Sequence, residues 1–282
     1  ATFLVSSIGW RNIFYVTGSL GLVMALIIFF TVREAPRGSS EPELEGIDDI
    51  GVYKFDRKHA LGLFRKRTLL LLYAQGFVGV FPWNVIPVWF FRYLDVERGF
   101  DESAILLTLG PAILMLAFGY FLGGVVGDFA FKRTPRGRLL VSMSAVLLGA
   151  VLLTITMNIP IAERALFTGM MTLTALFIPF ASANVVSTVH DITLPEIRST
   201  ALAVQLFIEN GGAAIAPFIA GLIAVRYSLH DAILWICLIA WALGAIILAF
   251  AAYKVPHDVS SLRGEMRERA LSEQKVHALG KA

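Results

Sequence analysis

Glu209 is the acidic residue set well inside an apolar stretch of this chain, roughly ten residues in from Arg198. On a helix that distance is about 15 Å, which is the middle of a hydrocarbon layer about 30 Å thick. A charge at that depth costs about 2.5–3.5 kcal/mol even on a lenient scale. Such a carboxyl faces a bundle interior or a watery cavity, or else it carries a proton. Gln205 lies one turn earlier on the same face, and Asn210 adjoins it. The chemistry on offer is reversible proton binding beside hydrogen-bonding amides, as at a solute or proton site. An interhelical hydrogen bond that holds a bundle together is the competing reading.

Two more apolar stretches carry polar side chains. One holds Gln75, Trp83 and Asn84, with Pro82 and Pro87 five residues apart. Each proline removes an N–H and crowds the carbonyl four residues earlier. A break or kink is therefore expected there, either beside a cavity or for packing alone. The other holds Thr168, Thr172, Thr174, Pro179, Ser182, Asn184, Ser187 and Thr188. Phe177, Phe180, Asn184, Ser187 and Asp191 fall on one helical face. His190 and Asp191 are expected to form a solvated cap.

The elements that must position these groups are membrane spans. Of the 282 residues 57% are apolar and 16% charged, against about 45–50% and about 25% in soluble domains. The excess is grouped in runs of roughly 20 residues, long enough to cross a bilayer. The spacing predicts seven spans, at about 12–32, 68–92, 104–128, 139–157, 165–189, 199–225 and 231–253. The fold class is all-α, a polytopic membrane protein. The first and last spans are almost wholly apolar and are expected to face lipid. The single cysteine excludes a disulfide framework and a cysteine-built metal cluster; no cofactor and no metal site is expected.

Lys and Arg gather in alternate loops, which places 34–67, 129–138, 190–198 and the tail in the cytoplasm of a cell-membrane protein. Within 34–67, Lys54, Arg57, Lys58, Arg65, Lys66 and Arg67 are expected at anionic lipid headgroups, with Leu61, Leu63 and Phe64 of a short surface helix on lipid. Nucleic acid is not an expected partner. The tail 254–282 reads as charged and weakly helical. Gly119, Gly123 and Gly127 permit close helix approach. The same stretch then leaves through Asp128 into a loop bearing Lys132, Arg133, Arg136 and Arg138.

Gly124-Val-Val-Gly-Asp128 resembles the GxxxD core of the loop motif of major facilitator superfamily transporters. Phe129 stands where that motif has a basic residue, and Arg136-Gly137-Arg138 follows after an insertion. Gly9–Phe14 is similar to the start of the family's sixth helix, and Leu194–Ala201 to the start of its eleventh. Val32–Gly38 looks like the exit of the sixth helix in Spinster-like members. The resemblance implies helices six to twelve of a two-bundle fold. Residues 1–33 would close the N-terminal bundle and 34–67 would be the central cytoplasmic loop. Residues 68–253 would form the C-terminal six-helix bundle, and 254–282 a cytoplasmic tail. The chain would then be partial and its N-terminal half missing.

The function so implied is secondary active transport of a small solute by alternating access, as a symporter if protons are coupled. Gln75, Trp83, Asn84, Asn184, Gln205, Glu209 and Asn210 are the candidate cavity residues. Gly124, Asp128, Arg136, Arg138 and Arg198 are the candidates for a gating loop, with Asp128 expected to bond locally or to nothing. A non-transporting sensor or scaffold on the same fold is the alternative. An enzyme is not expected, because no HExxH, GxSxG or paired intramembrane Asp occurs.

Overall fold

The computed structural model describes residues 9–32 and 62–279, which are helical and contain no strand among them. The helices are α1 (Trp10–Thr31), α2 (Arg67–Arg92), α3 (Glu102–Arg133), α4 (Gly137–Met157), α5 (Arg164–Phe177), α6 (Phe180–Asp191), α7 (Arg198–Arg226) and α8 (Leu229–Leu279). Short turns of tighter or wider helix precede α2 and α7 and follow α2. Counting α5 and α6 as one crossing, seven segments are long and apolar enough to cross a membrane. The chain divides into two compact units, Val52–Glu268 and Ala1–Gly51 with Arg269–Ala282. Lys54, Arg57, Lys58 and Leu61 lie outside the described residues, as do 1–8 and 33–51.

In the smaller unit, α1 has 22 residues and none is buried. Its length is about 33 Å. Thr17 and Thr31 donate to carbonyls four residues earlier, and Ser19 to one three residues earlier. The hydroxyls thereby close on the helix and leave an apolar exterior, as a span in lipid requires.

The larger unit is a bundle built from close parallel pairs. The first is α2 with α7. Gly212 brings α7 against the Phe77 carbonyl, where a Cβ would sit only 2.6 Å from the oxygen. Tyr73 donates to the Ala201 carbonyl at 3.2 Å, and Trp89 Nε1 to the Pro217 carbonyl at 3.1 Å. The second pair is α3 with the α5–α6 crossing. Gly119, Gly123 and Gly127 recur every four residues and face Leu176, Phe180 and Asn184 respectively. Asn184 Nδ2 donates to the Gly123 carbonyl at 2.9 Å across this seam. Added side chains would collide with Leu176 backbone, Phe180 backbone and the Asn184 amide, so the small-residue stripe sets the helix spacing. Helix α4 packs on α3, α5 and α6.

The broken span is not the one expected. Helix α2 runs unbroken through Pro82 and Pro87. The break falls at Ile178–Pro179, between α5 and α6. A proline in a helix interior leaves the carbonyl four residues earlier unpaired, and neighbouring groups decide whether the helix can absorb it. Here the Leu176 carbonyl lies over Gly119 and the Pro179 ring beside it, so tertiary packing holds the broken geometry.

Helix α8 also departs from expectation. Half of its most apolar window is buried. Ile233, Cys237 and Leu248 are fully covered, so it is not a purely lipid-facing helix. It continues past 253 through Pro256 to Leu279. Val255, Val259, Leu262 and Met266 form a buried stripe along that extension, which is why the charged tail is helical rather than loose. At its other end Glu97 accepts from the Leu229 and His230 amides at 2.5 and 3.0 Å, satisfying two of the free N–H groups of a helix start. Glu97→Ala is expected to destabilise the purified protein by about 1 kcal/mol, or about 2–4 °C in melting temperature. An unchanged melting curve would remove the cap from the account.

Arg98, in the short connection between α2 and α3, is buried: its Nη2 donates to the Ile159 and Pro160 carbonyls at 3.0 and 3.2 Å, and its guanidinium lies 3.9 Å from the Phe167 ring centre. Leu63, expected on lipid, is 1% exposed. Lys66, expected at headgroups, donates to the Ile192 carbonyl at 2.8 Å. Burial pushes its ammonium below the usual lysine value, while Asp258 and Glu265 act in the opposite direction. An aliphatic stem with a nearby carbonyl and carboxylates can be partly buried where a cluster of basic residues suggests contact with headgroups.

Candidate functional site

A cavity of about 470 Å³ lies within the larger unit, walled by α2, α3, α4, α6, α7, α8 and the α5–α6 break. Gln75 and Trp83 reach it from α2, and Gln205 and Glu209 from α7. These four sequence candidates are brought together. Gln205 Nε2 donates to Glu209 Oε1 at 2.8 Å, as residues one turn apart on a helix can. The carboxyl reaches α2 because Gly76 has no side chain; a Cβ there would sit 2.7 Å from Glu209 Oε1. Gly79 makes the same allowance for the Gln75 amide. Glu209 is eleven residues into α7, about 16 Å along the axis.

The remaining amide candidates lie elsewhere. Asn184 is buried in the α3–α6 seam, bonded to the Gly123 and Phe180 carbonyls at 2.9 and 2.8 Å. Asn84 donates to the Val80 carbonyl of its own helix, and Asn210 to that of Leu206. Neither is among the cavity walls. Sequence reasoning did not single out Tyr120 or Trp241, which do line the cavity. Tyr120 packs on Trp83 with ring centres 5.9 Å apart. Its signal was position, since it follows Gly119 in the glycine-rich run. Trp241 carried no signal beyond being a tryptophan inside an apolar span.

The walls divide chemically. Two amides and one carboxyl gather on the α2–α7 side, and three aromatic rings, Trp83, Tyr120 and Trp241, supply flat apolar surface. Glu209 is the one charged group among the lining residues, and no Lys, Arg or His is present. The α5–α6 break opens on the same space, with Ile178 and Ser182 in its wall.

The proposed gating residues form a second cluster at the ends of α3, α4 and α6. Arg138 donates through Nη2 and Nε to Asp128 Oδ1 at 2.7 and 3.2 Å, and through Nη1 to Asp191 Oδ2. Asp128 thus bonds locally, ten residues along the chain. Asp191 is not the solvated cap expected: its side chain is 23% exposed and clasped by Arg138. Its place on the Phe177–Asn184 face was the available clue. The guanidinium also stacks 4.2 Å over Phe131, a geometry suited to Arg rather than Lys. Arg198 Nε donates to the His190 and Thr193 carbonyls at 3.2 and 3.3 Å, tying α7 to the end of α6. Arg136 lies 5.8 Å from the Tyr253 ring, and Gly124 faces open space.

Comparison with known proteins identifies the architecture. A sequence model described as Major Facilitator Superfamily matches residues 1–178. A probable sulfoacetate transporter of Cupriavidus necator is 30% identical over 51% of this chain and 34% of its own length. A hexuronate transporter of Bacillus subtilis is 31% identical over 49% of this chain and 32% of its own. An MFS-type efflux pump of Mycolicibacterium smegmatis is 23% identical over 78% of this chain and 49% of its own. The chain therefore spans about a third to a half of the curated relatives it matches. A bacterial homologue of the human lysosomal transporter Spinster, solved inward-facing and unoccupied, superposes with a TM-score of 0.53 at 18% identity, over 96% of this chain and 63% of that one. Its fold is shared. The chain belongs to the major facilitator superfamily, and six of its seven spans form the C-terminal bundle of that fold.

Proposed function

We propose that this chain is the C-terminal part of a secondary transporter that moves a small organic anion together with a proton by alternating access. The observation that carries the reading is the cavity whose one charged lining group is Glu209, hydrogen-bonded to Gln205 at mid-span depth. The solute class is supported by relatives named for sulfoacetate, hexuronate and galactarate/D-glucarate, all of them acid anions. An anion and an ionised carboxyl about 6 Å apart repel by about 3 kcal/mol at an effective dielectric of about 20. Proton loading at Glu209 removes that repulsion, so anion and proton enter together. The cations that hold the anion would come from an N-terminal bundle, and rocking of the two bundles would expose the cavity to each side in turn. The Asp128–Arg138–Asp191 clasp would lie at the cytoplasmic face among anionic headgroups and fasten one closed state.

The test is uptake by the full-length protein in liposomes. An inward proton gradient should drive accumulation of labelled hexuronate or sulfoacetate, and a protonophore should abolish it. Uptake indifferent to the gradient would remove the proton from the mechanism. No uptake of either solute with a folded protein would favour the sensor or scaffold reading.

A further inference from the structure

Two polar side chains in the cavity wall are buried without a partner. Gln75 of α2 is 7% exposed and Trp241 of α8 is 4% exposed, and both line the cavity. Neither the Gln75 amide nor the Trp241 indole N–H makes a hydrogen bond among the described residues, and neither is among the polar atoms sealed from solvent without a partner. Both groups therefore keep accessible surface, and the cavity is the open space that both border. Groups so deeply buried ordinarily find a partner within the protein. Others of the same types in this bundle do: Trp89 Nε1 donates to the Pro217 carbonyl and Asn184 Nδ2 to that of Gly123. The Gln75 amide instead lies over Gly79, one turn along α2, and Trp83 follows one turn later on the same face.

The donor and acceptor types say what can satisfy both groups. The amide offers N–H donors and a carbonyl acceptor, and the indole offers a donor alone. An ammonium only donates, so it would leave the Trp241 N–H unpaired. A carboxylate or sulfonate only accepts, so it would leave the Gln75 carbonyl unpaired, and it meets no Lys, Arg or His in these walls. A hydroxyl donates and accepts, and serves both. The rings of Trp83 and Tyr120, with centres 5.9 Å apart, add flat apolar surface for the C–H face of a solute ring. We infer that Gln75 and Trp241 form a hydroxyl-binding subsite, and that the solute is a polyhydroxylated acid of the hexuronate type. Its uncharged body rests in this half, and its acidic group turns away towards the N-terminal bundle. This rests on the transport reading above and deepens it. Sulfoacetate, which has no hydroxyl, is the poorer fit. Trp241 becomes a specificity-determining residue, on a helix whose composition suggests contact with lipid alone.

The test is competition for uptake of labelled hexuronate by the full-length protein in liposomes. Cyclohexanecarboxylate has a six-membered ring and one negative charge but no hydroxyl. Unlabelled hexuronate should compete at least about tenfold better than it. Trp241→Phe keeps a buried ring and removes the N–H, and Gln75→Leu keeps much of the volume and removes the amide. Each should raise KM for hexuronate by about tenfold and narrow the discrimination between the two acids to a similar degree. A variant that had merely loosened the bundle would weaken both competitors alike. Equal competition by the two acids in the wild type, or discrimination unchanged in both variants, overturns the inference. So does choline competing better than hexuronate, which would mark an ammonium site. Uptake of sulfoacetate without uptake of hexuronate overturns the inference and leaves the transport reading standing. No uptake of either solute by the folded protein overturns both.

Discussion

Glu209→Gln in the full-length protein is expected to abolish proton-driven accumulation while solute exchange down its own gradient continues. Glutamine keeps the shape of the side chain and its bond to Gln205 but cannot ionise. The repulsion of about 3 kcal/mol therefore disappears at every pH, and KM should fall by up to about a hundredfold wherever the wild-type carboxyl is ionised. Accumulation fails because no group remains to carry a proton with the anion. The two effects have opposite signs: tighter binding and lost driving force. A variant that merely misfolded would lose both, so the contrast is diagnostic. Measured gradient-driven accumulation equal to that of the wild type would take Glu209 out of the mechanism. Gly76 gives an independent handle, because Gly76→Ala places a methyl where the Glu209 carboxyl now rests.

Arg138→Leu should destabilise the protein by about 1–3 kcal/mol, the range for charged hydrogen bonds, as a lowered midpoint of thermal unfolding in detergent. The full penalty of about 3–5 kcal/mol for orphaning a buried charge is not expected, because Asp128 is 59% exposed and Asp191 23%. Water takes over at Asp128 and only partly at Asp191. Asp128→Ala should therefore cost less than about 1 kcal/mol, and Asp191→Ala more than Asp128→Ala. The double variant Arg138→Leu/Asp191→Leu should recover part of the loss, because it no longer leaves a half-buried carboxylate without its guanidinium. Equal costs for the two aspartates, or a double variant as unstable as the sum of its parts, would show that the clasp is not held by the Asp191 pair. If the clasp fastens one closed state of the transporter, Arg138→Leu should also shift the balance of conformations. Spectroscopic distances across the bundle ends would report that change.

Run length and charge placement were enough to place all seven spans, because a bilayer demands about 20 apolar residues per crossing and tolerates charge only between them. Glu209 stood out for the same reason, as a charge where apolar residues belong. Both are local properties, written residue by residue along the chain. The α5–α6 break, the clasp on Asp191, the buried Arg98 and the two unforeseen aromatic walls, Tyr120 and Trp241, are of another kind. Each depends on which face of one helix meets which face of another. In a membrane span both faces are apolar, so hydropathy does not distinguish the lipid side from the packed side. Small residues set the contact instead. Gly119, Gly123 and Gly127 were visible as a stripe, but not that Leu176, Phe180 and Asn184 are what they admit. The same holds for Asn184. As a buried amide it had to find partners, and the seam with Gly123 supplied one where the sequence alone left a cavity equally open. The crossings and the deep carboxyl were thus determined by the sequence itself, through the thickness of the membrane and the cost of charge within it. The cavity's walls, the site of the helix break and the partner of each polar side chain were decided only in the tertiary structure, where close approach of backbones chooses among chemically equivalent faces.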